Sequence, residues 1–192
     1  APDGDNIRFG MAAIKGVGAQ VVEAIIKERE ENGDFKSIFD FCKRLDAKYV
    51  NKKSLEGLIK AGAFSNIEKS RKQLFENIEH ILDVTAKEAK DKAMGQVSLF
   101  AAMGGDDSFS NVQYQLIGSD EEYSDKEIQL FEKEFLGFYV TSHPLFSIRD
   151  KMQFLMTHKI SELKDLPEEE VVTLCGLITA TRQIPTKKDP SK

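Results

Sequence analysis

Apolar residues recur at helical spacing through most of the first 94 positions. Val22, Ile25 and Ile26 share one face of a predicted helix from Ala19 to about Glu31, and Asn32-Gly33 stops it. Ile7 to Ile14 predicts a short helix or turn leading into it. Ser37-x-x-Asp40 opens a helix to about Leu45 that turns Ile38, Phe41 and Cys42 inward. Asn51 caps the next, Lys52 to Lys60, with Leu55, Leu58 and Ile59 as its stripe, and Ala61-Gly62-Ala63-Phe64 breaks it. Ser70-x-x-Gln73 starts a long helix to about Met94. Its stripe, Leu74, Ile78, Ile81, Leu82, Ala86, Ala89 and Ala93, thins to alanine before Gly95.

Periodicity is then lost from Gly95 to about Tyr123, a length that in compact proteins belongs to functional or disordered loops. It resumes at Ser124-x-x-Glu127, where Ile128, Phe131, Phe135 and Tyr139 line one face, with Gly137 inside and His143-Pro144 as the end. Leu145 to about Phe154 predicts a further helix, and Ser161–Leu166 a short helical turn. From Val171 to Thr181 the pattern becomes β-branched and partly alternating, the one clear strand signal. A lone strand cannot bury itself. The sequence therefore reads as cut inside a β domain, a fragment of something longer.

Two glycine turns punctuate this pattern. In Ile14-Lys15-Gly16-Val17-Gly18 two glycines flank one apolar residue directly before a helix N-terminus. Unpaired N–H groups and the helix dipole there make a site for an anion, most simply a phosphate. On the residues alone, a bare helix corner explains the turn equally well. Ile59-Lys60-Ala61-Gly62 repeats the arrangement of a Lys beside a glycine at a helix boundary, which suggests an internal duplication.

Charge is distributed unevenly. The net charge is −5, but residues 36–72 hold ten Lys/Arg against four Asp/Glu, and residues 101–134 hold two Lys against nine Asp/Glu. The basic block suits a polyanion, or else is a solvated helical surface. Cys42 and Cys175 read as buried thiols rather than a disulfide, since no export signal precedes them. No apolar run reaches the roughly 20 residues that span a bilayer. The histidines His80, His143 and His158 lack metal-ligand spacing, and no nucleophile or two-carboxylate metal motif occurs, so no catalytic or metal-binding residue is assigned. In the irregular segment, Gln96-Val97-Ser98-Leu99-Phe100 has the form of a peptide that fills a groove with Leu99 and Phe100, or that folds back on its own core.

These motifs carry a resemblance. Ile7 to Gly18 resembles the segment opening the helix-hairpin-helix region of the bacterial replicative polymerase family, the DNA polymerase III alpha subunits. Gly33–Cys42, Val50–Lys53, Leu58–Phe64, Gln96–Phe100, Glu132–Tyr139 and His143–Leu145 are similar in the same order, so the resemblance covers nearly the whole chain. In a related Gram-positive polymerase the groove-filling peptide ends the chain. Here a helical segment and a strand follow it, which favours the alpha-subunit family.

The resemblance implies a mainly α fold. A tandem helix-hairpin-helix DNA-binding region (1–94) would precede a loop with a clamp-binding peptide (95–123), a helical connector (124–168) and the first strand of a truncated OB-like β domain (169–192). It implies duplex DNA held by hairpin loops at Lys15, Gly16, Val17, Gly18 and Ala19 and at Lys60, Ala61 and Gly62, with Lys52 and Lys53 beside them. It implies a sliding clamp (the beta subunit) held by Gln96, Ser98, Leu99 and Phe100, and other replicase subunits reached through the parent chain. The family's catalytic carboxylates match no position here. Nucleotidyl transfer and its Mg2+ are therefore expected of the parent DNA-directed DNA polymerase, with no cofactor in this piece and a cytoplasmic, non-membrane location. The second turn departs from a full Gly-x-Gly, so a weaker phosphate grip there, or a role mainly in packing the duplicate, is expected. A structural connector without DNA binding is the competing expectation.

Overall fold

The computed structural model describes residues 2–3, 6–7, 9–93 and 114–183. The chain divides into two units, Ala1–Thr141 and Ser142–Lys192. In the first, β1 (Pro2–Asp3) and β2 (Asn6–Ile7) pair antiparallel, and a 3₁₀ turn, Met11–Ala13, leads to the first glycine turn. There follow α1 (Ala19–Asn32), α2 (Ile38–Arg44), α3 (Lys52–Lys60), α4 (Arg71–Glu76), α5 (Ile78–Ala93) and α6 (Asp125–Phe135). The starts obey the local code. The side chains of Ser37, Asn51, Ser70 and Ser124 each accept a backbone N–H three residues on, and Asn51 and Ser124 complete reciprocal capping boxes.

The core lies where α2 packs on α5 and where α3 meets α4, α5 and α6. Ile38, Leu55, Leu58, Ile59, Leu74 and Ile81 are fully buried there, each contributing about 1.5–3 kcal/mol by leaving water. Cys42 is in this core, and burial pushes its thiol up to about 12, so it is a packing residue rather than a nucleophile.

Three elements depart from the sequence pattern. The long helix bends at Asn77, a buried residue. Its side-chain amide donates to the Gln73 and Ile117 carbonyls, and its oxygen accepts the Ile117 N–H at 2.8 Å. Asn77 therefore clips on the segment 114–124, which runs beside α4 and α5 and makes further bonds through Ser70 and Gln73. Second, α6 ends at Phe135 and does not continue through Gly137. The backbone turns there at φ +85°, and the buried Glu132 carboxylate gathers the N–H groups of Val140 and Thr141.

Third, Val171–Thr181 forms no strand. The second unit has a 3₁₀ turn (Phe146–Ile148), α7 (Arg149–Leu155) and another 3₁₀ turn (Ile160–Asp165), then extended chain to residue 183. Strand propensity needs a neighbouring strand to act on. Among the described residues of this unit, Thr173 bonds only to Thr157, and Val171 and Ile178 remain exposed. The OB-like strand is therefore absent from the fold described here. No helix is long and apolar enough to cross a membrane among the described residues.

Candidate nucleic-acid interface

The first glycine turn is an open loop on two buried anchors. Ile14 and Val17 point into the core, while Lys15, Gly16, Gly18, Ala19 and Gln20 are exposed. The Val17 N–H bonds back to the Ile14 carbonyl at 3.1 Å, closing a β-turn with Gly16 third at φ +87°, a value side chains resist. Gly18, extended at φ −77°, is the N-cap of α1, whose first turn carries no acidic residue. Among the described residues, no protein acceptor takes the N–H groups of Gly16, Gly18, Ala19 or Gln20. A run of unspent donors at the positive end of a 14-residue helix is what an anion needs.

Behind the loop stands α3. A Cβ on Gly57 would lie 2.7 Å from the Lys15 carbonyl oxygen and 3.2 Å from Val17 Cγ2, so a glycine in the middle of α3 lets the loop seat on the helix. Sequence reasoning passed over Gly57, although an isolated glycine in a strong helical pattern is a signal of close approach. Lys53, one turn earlier on α3, also lies against the loop: a Cβ on Gly16 would be 3.5 Å from the Lys53 carbonyl and 3.7 Å from its Cε.

The second glycine turn has a different geometry. Gly62, at φ +79°, follows α3 as a Schellman cap, with its N–H on the Ile59 carbonyl and the Ala63 N–H on that of Leu58. Its donors are spent. The Arg71 guanidinium covers it, within 2.7 Å of where a Gly62 Cβ would be, bonds the Lys60 carbonyl and pairs with buried Glu132. Lys60 turns inward, paired to Glu56 at 2.8 Å and lying 4.4, 5.0 and 5.5 Å from the ring centroids of Phe75, Phe131 and Phe135. At the start of α4 the Arg71 and Lys72 amides already hold the Glu122 carboxylate. The two turns share spacing in sequence but not chemistry: the second closes a helix.

The basic block is largely neutralised by folding. Lys43 pairs with Glu88, Arg44 with Glu28 and Asp40, Lys48 with Asp46, Lys52 with Glu79, and Lys72 with Glu121. Glu121 and Glu132 come from the acidic block, so the two blocks fold onto each other. Lys15 pairs with Glu134 at 2.8 Å, and the bond holds the Glu134 carboxyl below the usual glutamate range. Lys53 is the cation beside the open loop that no carboxylate engages among the described residues. A groove of about 1100 Å3 opens beside Gly18, Ala19 and Gln20, but its walls mix Lys27, Arg44 and Lys48 with Glu23, Glu28, Glu31 and Asp46, which suits no single sign of ligand. The peptide Gln96, Ser98, Leu99 and Phe100 lies outside the described residues.

An exposed glycine turn, anchored by two apolar residues and opening onto a helix N-terminus, defines the helix-hairpin-helix class, and a family model for the helix-hairpin-helix motif matches residues 1–74. More particularly, the chain belongs to the DNA polymerase III alpha subunit family, as a segment of it. It is 38% identical over 190 residues to DNA polymerase III subunit alpha of Borreliella burgdorferi, covering 97% of this chain and 16% of that protein. The counterpart from Chlamydia pneumoniae is 37% identical over 174 residues, covering 91% and 14%. That of Escherichia coli K12 is 30% identical over 187 residues, covering 97% and 16%. The chain thus spans about one sixth of the length of these curated relatives.

Proposed function

We propose that this chain grips the backbone of duplex DNA through its first hairpin, as the part of a replicative DNA polymerase that holds duplex product near chemistry performed elsewhere. The observation that carries the reading is the run of amides at Gly16, Gly18, Ala19 and Gln20 that no acceptor takes among the described residues, with Lys53, which no carboxylate engages there, beside the loop. Backbone amides and a lysine contact phosphate without reading bases, so binding is independent of sequence and strongly dependent on salt. The grip is one-sided: Lys15 to Ala19 and Lys53 carry it, while Lys60, Ala61 and Gly62 shape the fold behind it. Mg2+-dependent nucleotidyl transfer belongs to the rest of the parent polymerase, working in the cytoplasm.

The test is duplex binding against salt concentration. Lys53→Ala is expected to weaken affinity several-fold and to lower the salt slope by about one phosphate contact. Salt-independent binding, or none, would instead leave the hairpin as a structural connector that only seats on α3. The second half of the proposal is that Gln96, Ser98, Leu99 and Phe100 dock in a sliding clamp, Leu99 and Phe100 filling its pocket and Gln96 fixing the register. A Leu99→Ala, Phe100→Ala double variant is expected to lose clamp binding measured by titration calorimetry. Equal affinity of the two proteins would remove that half and leave the DNA half standing.

A further inference from the structure

We propose that Glu134 restrains the grip of the first hairpin by competing with DNA phosphate for Lys15. The inference rests on the reading of that hairpin as a duplex-backbone site and names what tunes it. The last turn of α6 docks on the loop twice: the Lys15 N–H donates to the Phe135 carbonyl at 2.9 Å, and Lys15 Nζ meets Glu134 Oε1 at 2.8 Å. Lys15 is the residue directly before Gly16, yet its ammonium is turned to a carboxylate 119 positions further along the chain.

The pair is exposed, at 64% and 53% of the two side chains. Exposed pairs add little to stability, so this one opens readily to a stronger partner. A phosphate arriving at the loop meets three opposing features: an occupied lysine, a neighbouring carboxylate, and the negative end of the α6 dipole. Glu134 therefore keeps binding weaker than the loop's own residues allow. A polymerase that must release each contact as it advances is served by such a ceiling.

The experiment measures affinity of the full 192-residue chain for a short duplex across a salt series. Glu134→Gln is expected to bind several-fold tighter at low salt, with a slope steeper by about one because Lys15 now neutralises a phosphate. Glu30→Gln makes the same change of net charge at the other end of α1 and is expected to match wild type. Adding Lys15→Gln to Glu134→Gln is expected to abolish the gain and the added slope. The proposal is overturned if Glu134→Gln matches wild type while Lys53→Ala still weakens binding. It is also overturned if Glu30→Gln gives the same gain, or if the gain survives Lys15→Gln. If wild type and Lys53→Ala bind alike, the duplex reading itself fails and takes the proposal with it.

Discussion

Replacing Glu132 with alanine is expected to destabilise the first unit by about 3–5 kcal/mol, the usual result of removing one partner from a buried ionic cluster. The carboxylate is fully buried, accepts the N–H groups of Val140 and Thr141 at 2.7 and 2.9 Å and the Thr141 hydroxyl, and faces Arg71 Nη2 at 3.5 Å. Alanine leaves the Val140 and Thr141 amides without this acceptor and strips the Arg71 guanidinium of its carboxylate partner. It also frees Arg71 from its place over the Gly62 turn. Burial alone raises this carboxyl, but the bonds from Thr141 and Val140 and the Arg71 charge outweigh it and hold the group below the usual glutamate range. A depressed folded value contributes stability that is full above the unfolded value, about 4.3, and is lost as pH falls through the folded one. Urea midpoints of wild type and Glu132→Gln are thus expected to lie far apart at pH 7 and to draw together in acid. A constant gap across that range would show that the charge of Glu132 is not what stabilises the turn.

Gly57→Val is expected to cost about 3 kcal/mol and to weaken duplex binding together with stability. Replacing glycine inside a helix normally helps by up to about 1 kcal/mol. Here the new Cβ lies 2.7 Å from the Lys15 carbonyl, a backbone atom that cannot move alone, and the methyl groups add to the conflict with Ile14 and Val17. Either α3 shifts within the core or the hairpin lifts off it. Chemical denaturation and duplex titration of the same protein check both. A Gly57→Val protein as stable as wild type, with unchanged DNA affinity, would mean that the loop does not seat on α3.

Much of the helical framework was legible because its signals are local. Ser37, Asn51, Ser70 and Ser124 act within three residues of themselves, and the stripes Leu55-Leu58-Ile59 and Leu74-Ile78-Ile81 carry their own period. What escaped was decided at a distance. The end of α6 depends on a carboxylate that gathers amides eight and nine residues on. The bend at Asn77 depends on Ile117, forty positions away. Val171–Thr181 has strand composition but no neighbour among the described residues to pair with.

In the site, the first hairpin was legible because glycine spacing and the following helix are contiguous in sequence. The inequality of the two turns was legible only in part, from the missing second glycine after Gly62. The second turn spends its amides on the Ile59 and Leu58 carbonyls and is covered by Arg71, while Glu134 takes the Lys15 ammonium at the first, and the Arg71 and Glu134 contacts are made only by folding. The basic block misled because several of its partners, Glu28, Glu79, Glu88, Glu121 and Glu132, sit outside it.

The clip formed by Asn77 and Ile117, together with Tyr114, bears on mechanics. Tyr114 donates to Glu88 on α5 at 2.9 Å, stacks edge-on with Phe39 and has the Lys43 ammonium 3.4 Å from its ring centroid. Ala93 ends α5 and Tyr114 is held on it, so whatever lies between them begins and ends on one helix.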